Sequence, residues 1–288
     1  MRTLIGNILK ANKLFHLIEN NDKIAVGVSG GKDSMSLLFC LSKVRDIVKK
    51  YLNWDIEVIG IHLKMNLCHI DYDPIINFFK EHNITFILRD TEMGDILRNQ
   101  MKKGKIQCSL CSKMKKAILI EEAKKYGCNK VAMGHHADDA IETLFMNMVN
   151  EGRIATFKPK MYLDRMGITF IRPLILVREK DIISASRQLP DMPIVPCGCP
   201  MEGFTTRDYM KDFLDSNFYH NPKFKNSYHN FLTSLLNSKE FDLWFKSEDD
   251  SILDFNIKEI NNTKIKYMEK EKKSDEEKMM LDDISDFE

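Results

Sequence analysis

Three short stretches of this 288-residue chain carry residue types at spacings that could do chemistry. The first is Ser29-Gly30-Gly31-Lys32-Asp33-Ser34. It follows an apolar run, Lys23-Ile24-Ala25-Val26, and precedes a run with helical apolar spacing. A strand, a glycine-rich turn and a helix N-terminus form an anion site, because backbone N–H groups and the helix dipole point at a bound phosphate. Gly30 and Gly31 allow the positive φ and close backbone approach of such a turn. Ser29 and Ser34 add hydroxyls, and Lys32 adds a cation. Two common phosphate loops are excluded by spacing. A P-loop needs glycine where Val26 stands and Ser or Thr where Asp33 stands, and the dinucleotide fingerprint needs glycine in place of Ser29.

The second stretch is Cys108-Ser109-Leu110-Cys111, joined far along the chain by Cys197-Gly198-Cys199. A lone C-x-x-C is ambiguous between zinc, redox and cluster roles. A redox pair should directly follow the first strand of a βαβ unit, whereas a lysine-rich linker precedes this one. Four thiolates could close a structural zinc site, and three could hold a four-iron cluster with one iron left open. Cys40, Cys68 and Cys128 lie in or beside apolar runs and read as small buried hydrophobes. The third stretch is Gly134-His135-His136-Ala137-Asp138-Asp139. Asp139 followed by Glu142 resembles a capping box, with Asp138 favouring a helix N-terminus. Two carboxylates at a strand's end would equally suit Mg²⁺ bridging ATP phosphates. His62, at the end of another apolar run, reads as a strand-end residue that meets a ligand through its backbone rather than as a catalytic base.

The elements that must position these residues follow from periodicity. Apolar positions predict an amphipathic helix over residues 3–18 covering a sheet edge. Strands are predicted at 23–26, 55–63, 84–88 and 130–134. Between them fall a helix begun by Asp73 as N-cap with Pro74, a helix over 113–126, and one capped by Asp138 or Asp139 and running to about Val149. This alternation predicts an α/β fold, a doubly wound parallel sheet with ligands beyond the strands' carboxyl ends, and each candidate cluster follows a strand. Residues 169–174 suggest a further strand, 178–189 a helix, and 205–218 and 227–236 a small helical C-terminal region. The organisation expected is an N-terminal helix over 1–22, the sheet domain over 23–200, helices over 201–245 and a charged flexible tail over 246–288.

Composition sets outer bounds. An apolar fraction of 43% and a charged fraction of 30% fit a globular chain. No apolar run approaches the roughly 18 residues that a membrane span needs, and no signal peptide is evident. Seven cysteines without a secretion signal point to reduced thiols and a cytoplasmic location. The net charge of +1 hides two basic sectors. One comprises Arg98, Lys102, Lys103, Lys105, Lys113, Lys115 and Lys116, the other Arg153, Lys158, Lys160, Arg165, Arg172 and Arg178. Such sectors suit a polyanion, or are simply solvated helix faces.

In this order the motifs resemble the TtcA/TtuA group of tRNA thiolation enzymes within the PP-loop ATP pyrophosphatase superfamily. The matching features are S-G-G-K-D-S at 29–34, C-S-L-C-S-K at 108–113, G-H-H-A-D-D at 134–139, I-R-P-L at 171–174, R-E-K-D-I at 178–182 and I-V-P-C-G-C-P at 194–200. The resemblance implies that ATP adenylates the C2 carbonyl of a tRNA base, most closely a cytidine, and that sulfur then replaces the oxygen. It implies a [4Fe–4S] cluster held by Cys108, Cys111 and either Cys199 or Cys197, with Cys199 favoured because Cys-Pro at 199–200 is similar to the relatives' third-ligand motif. Phosphates would be gripped by residues 29–34, with Mg²⁺ near Asp33 and Asp138 or Asp139, and Gly134 and His62 would face the nucleotide. Lys32, Asp33, Lys115 and Asp139 would be catalytic, the last two by matching positions considered catalytic in the TtuA-like branch. The implied partners are tRNA and a sulfur donor such as a cysteine desulfurase or free sulfide, in a chain that forms a homodimer or acts alone.

Two departures stand against that pattern. TtcA-type chains usually show P-C-x-x-C-G-S-Q, while the loop at 196–203 has one residue fewer between its cysteines and lacks Gly-Ser-Gln. The zinc-finger cysteine sets of TtuA-like chains are missing from the sequence. Three other readings compete: sulfur transfer to another base or a small molecule, an amidating PP-loop enzyme, and a zinc-stabilised nucleotide-binding module. The cysteine constellation argues against the amidating class, which needs no cluster.

Overall fold

The computed structural model describes residues 1–66, 70–101, 106–189, 191–195, 203 and 205–237. Cys68, Cys197, Cys199 and the predicted tail lie outside the described residues. Six strands form one sheet in the order β3-β2-β1-β4-β6-β5. They are β1 (Lys23–Val28), β2 (Glu57–Lys64), β3 (Thr85–Asp90), β4 (Lys130–Ala132), β5 (Lys160–Leu163) and β6 (Ile168–Ile171). All neighbours are parallel except β5, which pairs antiparallel with β6 at one edge. The expected doubly wound parallel sheet is therefore the fold.

Strand alternation sorts the core into layers. Ile24, Val26 and Val28 of β1 point into the larger apolar cluster, which holds α1 (Arg2–Phe15), α2 (Lys32–Leu52), α6 (Ala137–Glu151) and α7 (Glu179–Arg187). Ala25 points to the opposite face, where Leu119, Ile120 and Ala123 of α5 (Cys108–Lys125) cover the sheet. A small third cluster seats α4 (Met93–Asn99) through Met93 and Leu97 against Ile106. Helix α1 buries the predicted apolar positions Leu4, Ile5, Ile8 and Leu14, and its main partners are α2 and α7 rather than the sheet edge. Helix α3 (Asp73–Glu81) starts with Asp73 already helical, so the cap falls one residue earlier than predicted, on Tyr72.

Beyond α7 the chain forms α8 (Thr206–Leu214), a π-helical turn at Asp215–Tyr219, a 3₁₀ turn at Pro222–Phe224 and α9 (Ser227–Asn237). Thr205 caps α8 through a reciprocal box with Asp208. Helix α8 packs on α6, as α9 does more lightly. Among the described residues no helix is long and apolar enough to cross a membrane. The strand order reverses between β1 and β4, which opens a crevice beyond their carboxyl ends.

Candidate active site

The crevice is floored by the loop between β1 and α2. Gly30 has φ 91°, a left-handed conformation that favours glycine. Its carbonyl accepts the Val195 N–H at 3.0 Å, so the segment that ends at Val195 is tied directly to the phosphate loop. Gly31 is the N-cap of α2 and supplies no side-chain cap, which leaves the first-turn amides for an anion. Ser34 organises the turn: its hydroxyl accepts from Ser29 N–H at 3.0 Å, donates to Gly31 O at 3.1 Å and lies 3.1 Å from the Ser29 hydroxyl.

Lys32 reaches across the loop. Its ammonium donates to Asp33 at 3.2 Å and to Glu179, the first residue of α7, at 2.9 Å. Burial opposes its charge, but Asp33 and Glu179 more than compensate and raise its pKa. Glu179 also accepts from Lys211 of α8 at 2.6 Å. Burial would raise the Glu179 pKa, yet hydrogen bonds from Lys211 and Lys32 win and hold it at about 2. Asp33 Oδ1 is buried without a hydrogen-bond partner. An orphaned carboxylate oxygen beside a phosphate loop fits a cation delivered with the nucleotide. Among the described residues no three His, Cys, Asp or Glu side chains gather to hold a metal alone, so phosphate oxygens would have to supply the remaining ligands.

The second wall is the turn from β4 into α6. Gly134 lies against the start of α2, and a Cβ there would stand 3.2 Å from Ser34 N and 3.3 Å from Asp33 C. Both neighbours are backbone and cannot give way, so this position needs glycine. His135 stacks on Phe157 with centroids 5.0 Å apart, and burial pushes its pKa down to about 4.

The cap of α6 is His136, neither Asp138 nor Asp139 as the sequence predicts. Asp139 N–H donates to the His136 ring, and the Asp139 carboxylate accepts His136 N–H at 2.9 Å. The capping box is thus His136 with Asp139, not Asp139 with Glu142, because the helix begins at Ala137. Asp139 Oδ1 takes Arg207 of α8 at 3.0 Å, and the same guanidinium reaches Glu142 at 3.2 Å and the Thr143 hydroxyl at 3.0 Å. Burial and then Asp139 push the Glu142 carboxyl up to about 8 against the pull of Arg207. At that value Glu142 is mostly protonated at neutral pH. Asp138 Oδ2 accepts Glu179 N–H at 2.8 Å and the Tyr228 hydroxyl of α9 at 3.4 Å, and burial raises its pKa.

His62 and the thiols complete the rim. The His62 ring is buried, with Nδ1 2.9 Å from Val28 O and Tyr72 stacked at 4.9 Å. Burial lowers its pKa, and the nearby Lys115 charge lowers it further. Its side chain thus braces the residue before the phosphate loop. Cys108 and Cys111 occupy the first turn of α5, which starts five residues before the predicted 113. One helical turn apart, they share a face at the N-terminal end of the helix. Cys108 is exposed and Cys111 half-buried beside Met65 and Met114. Since α5 leads into β4, its N-terminal end lies at the same edge as the strands' carboxyl ends. Two accessible thiols on one helical turn fit two ligands of a metal or cluster site. Cys40 and Cys128 are buried as expected, with desolvation pushing their thiols up to about 12 and about 11.

The basic sectors are less open than their composition suggests. Arg172 is buried, donates to Lys158 O at 2.5 Å and lies over Phe157, while Arg178 stacks on Tyr228 at 3.6 Å. Lys113 and Lys116 remain exposed on α5, and Lys102, Lys103 and Lys105 lie outside the described residues.

A parallel sheet with a strand–glycine turn–helix phosphate loop at its switch point defines a nucleotide-binding class of α/β protein. Residues 7–189 match the PP-loop domain family, and the chain belongs to that family. It is 36% identical over 229 residues to a tRNA-cytidine(32) 2-sulfurtransferase of Geobacter metallireducens, covering 78% of this chain and 87% of the relative. A protein of the same name from Citrifermentans bemidjiense is 37% identical over 231 residues, covering 79% and 87%. Among solved structures, the U34-tRNA thiolase NcsA from Methanococcus maripaludis with its [4Fe–4S] cluster superposes with a TM-score of 0.60 at 20% identity, covering 93% of this chain and 91% of that one. At that identity the likeness establishes the shared fold.

Proposed function

We propose that this chain is an ATP-dependent tRNA sulfurtransferase that converts a cytidine to 2-thiocytidine. The observation that carries this is a phosphate loop, with Lys32 and the orphaned Asp33 oxygen, on the same sheet edge as the thiols of Cys108 and Cys111. The names of the relatives at 36% and 37% identity support the base and the RNA.

The α2 amides, Ser29, Ser34 and Lys32 bind the β,γ-phosphates, and Asp33 holds Mg²⁺ together with phosphate oxygens, with Asp138 and Asp139 at the rim. The C2 carbonyl oxygen of the base attacks the α-phosphorus, an O–P bond forms, and pyrophosphate leaves. Lys32 and Lys115 stabilise the developing charge. Adenylation turns a poor leaving oxygen into a good one, so a sulfur nucleophile at C2 expels AMP with that oxygen. Cys108 and Cys111, with Cys199 or Cys197, would hold a [4Fe–4S] cluster, which would supply a coordination site for the incoming sulfur. Free sulfide supplies the sulfur directly, or a cysteine desulfurase supplies it as a persulfide whose outer sulfur a thiol reductant brings to the sulfide level with two electrons, and the enzyme works in the cytoplasm.

The test combines iron and sulfide analysis of anaerobically purified protein with mass spectrometry of tRNA nucleosides from a deletion strain. Iron and sulfide near four each per chain, and loss of 2-thiocytidine, are the expected outcomes. A zinc-only protein removes the cluster from the proposal, and unchanged thionucleosides remove the tRNA substrate.

A further inference from the structure

A second cavity, of about 660 Å³, opens between the π-helical turn, the 3₁₀ turn and the start of α9. Its volume lies within the roughly 300–1,000 Å³ of small-ligand sites. Three rings line it: Phe218 stands 5.4 Å from Phe224 and 5.2 Å from Phe231, centroid to centroid. Phe224 is 47% exposed, so its ring is accessible from solvent. Lys223 and Lys225 flank it, and no acidic residue is among the described lining. Ser227, the first residue of α9, also lines the cavity. That residue is only 7% exposed, yet its hydroxyl has no hydrogen-bond partner. The first turn of α9 contains no acidic side chain, so its positive dipole end is uncompensated.

Aromatic faces, two cations and a helix N-terminus match the two halves of a nucleotide. The rings suit the base, and the cations with the helix end suit its phosphate. We infer that this cavity binds one unstacked nucleotide of a single-stranded RNA segment, a contact separate from the nucleotide cleft. This rests on the RNA substrate proposed above and adds where the RNA is held. The location is apt, because Phe231 and Phe218 pack on Phe145 of α6 at 4.9 and 6.0 Å, and Tyr228 ties the same helix to Asp138. A strand held here lies one helix from the phosphate loop.

The test measures binding of a tRNA anticodon stem–loop, and of a fully paired RNA of equal length, to the full chain. Phe224→Ala should weaken stem–loop binding roughly 10- to 100-fold, since stacking one base contributes about 1–3 kcal/mol. Phe224→Tyr should stay near wild type, and duplex affinity should change little in either variant. The Lys223→Gln/Lys225→Gln double variant, whose side chains are exposed, should lower the salt slope of log K by about 1.4. Stem–loop binding unchanged by Phe224→Ala, or an equal loss on duplex RNA, overturns the inference while the RNA substrate stands. A wild-type chain that binds neither RNA overturns both, and a Phe224→Ala variant that loses only a bound protein assigns the cavity to that protein instead.

Discussion

Lys32 and Glu179 show how single charges prepare the cleft. The ammonium is kept charged by two carboxylates, and it is the one side-chain cation inside the phosphate loop. Lys32→Ala should reduce ATP-dependent pyrophosphate release by about 100-fold or more, in keeping with loss of a preorganised charge at a transferring phosphoryl group. A coupled pyrophosphate assay on folded protein checks this. Glu179 makes a pH-dependent contribution. Its pKa is about 2 in the folded chain against an ordinary 4.5, so its stabilising effect is complete above about pH 4.5 and fades as pH falls toward 2. The urea-midpoint gap between wild type and Glu179→Gln should therefore be widest near pH 6 and shrink steadily between pH 4.5 and 2.5. A gap that stayed constant over that range would show that Lys32 and Lys211 do not depress this carboxyl.

At the scale of elements, α8 is fastened by one face. Arg207 and Lys211 stand four residues apart and reach two different acids, Asp139 and Glu179. Arg207→Ala would strand Asp139 and Glu142 under the helix. A loss of about 1–2 kcal/mol is expected, moderated because the guanidinium is 38% exposed and Glu142 already carries a proton. Equilibrium urea unfolding measures it. These clamps had no local signature in the sequence, since their partners lie more than 30 residues away and nothing nearby distinguishes them from solvated charges. The five parallel strands β1–β4 and β6 were legible because their apolar runs are long or flanked by turns. Strand β5 was not, since its four residues sit at an edge and gain their conformation from pairing with β6. The early start of α5 escaped because its apolar residues are spread around the helix, and Cys-Ser-Leu-Cys has little intrinsic helix preference. His136 as a cap escaped because Asp is the commoner cap and two were adjacent. The phosphate loop was readable at Gly30, which has φ 91°, but Gly31 has φ −78°, an extended conformation open to any residue, so the expected positive φ holds at only one of the two glycines.

For the whole molecule, the reversal of strand order at β1 and β4 concentrates the loop, the Gly134 turn and α5's thiol-bearing end along one edge. Ligand binding there should be felt by the entire domain. A non-hydrolysable ATP analogue at about 100 times its Kd adds about 2.7 kcal/mol, which for a domain of this size raises Tm by roughly 5–10 °C. Differential scanning fluorimetry should show that shift in wild type and little of it in Lys32→Ala. The adjacency of Asp138 and Asp139 reaches further. One aspartate is tied to α9 through Tyr228 and the other to α8 through Arg207, so consecutive backbone positions hold both C-terminal helices. A triphosphate that drew on either carboxylate would loosen or tighten the hold on those helices. By linkage the effect is reciprocal: whatever RNA does to ATP affinity, ATP must do to RNA affinity by the same factor. The coupling has the same size whichever ligand binds first, and Asp138 and Asp139 are the residues whose substitution should change it.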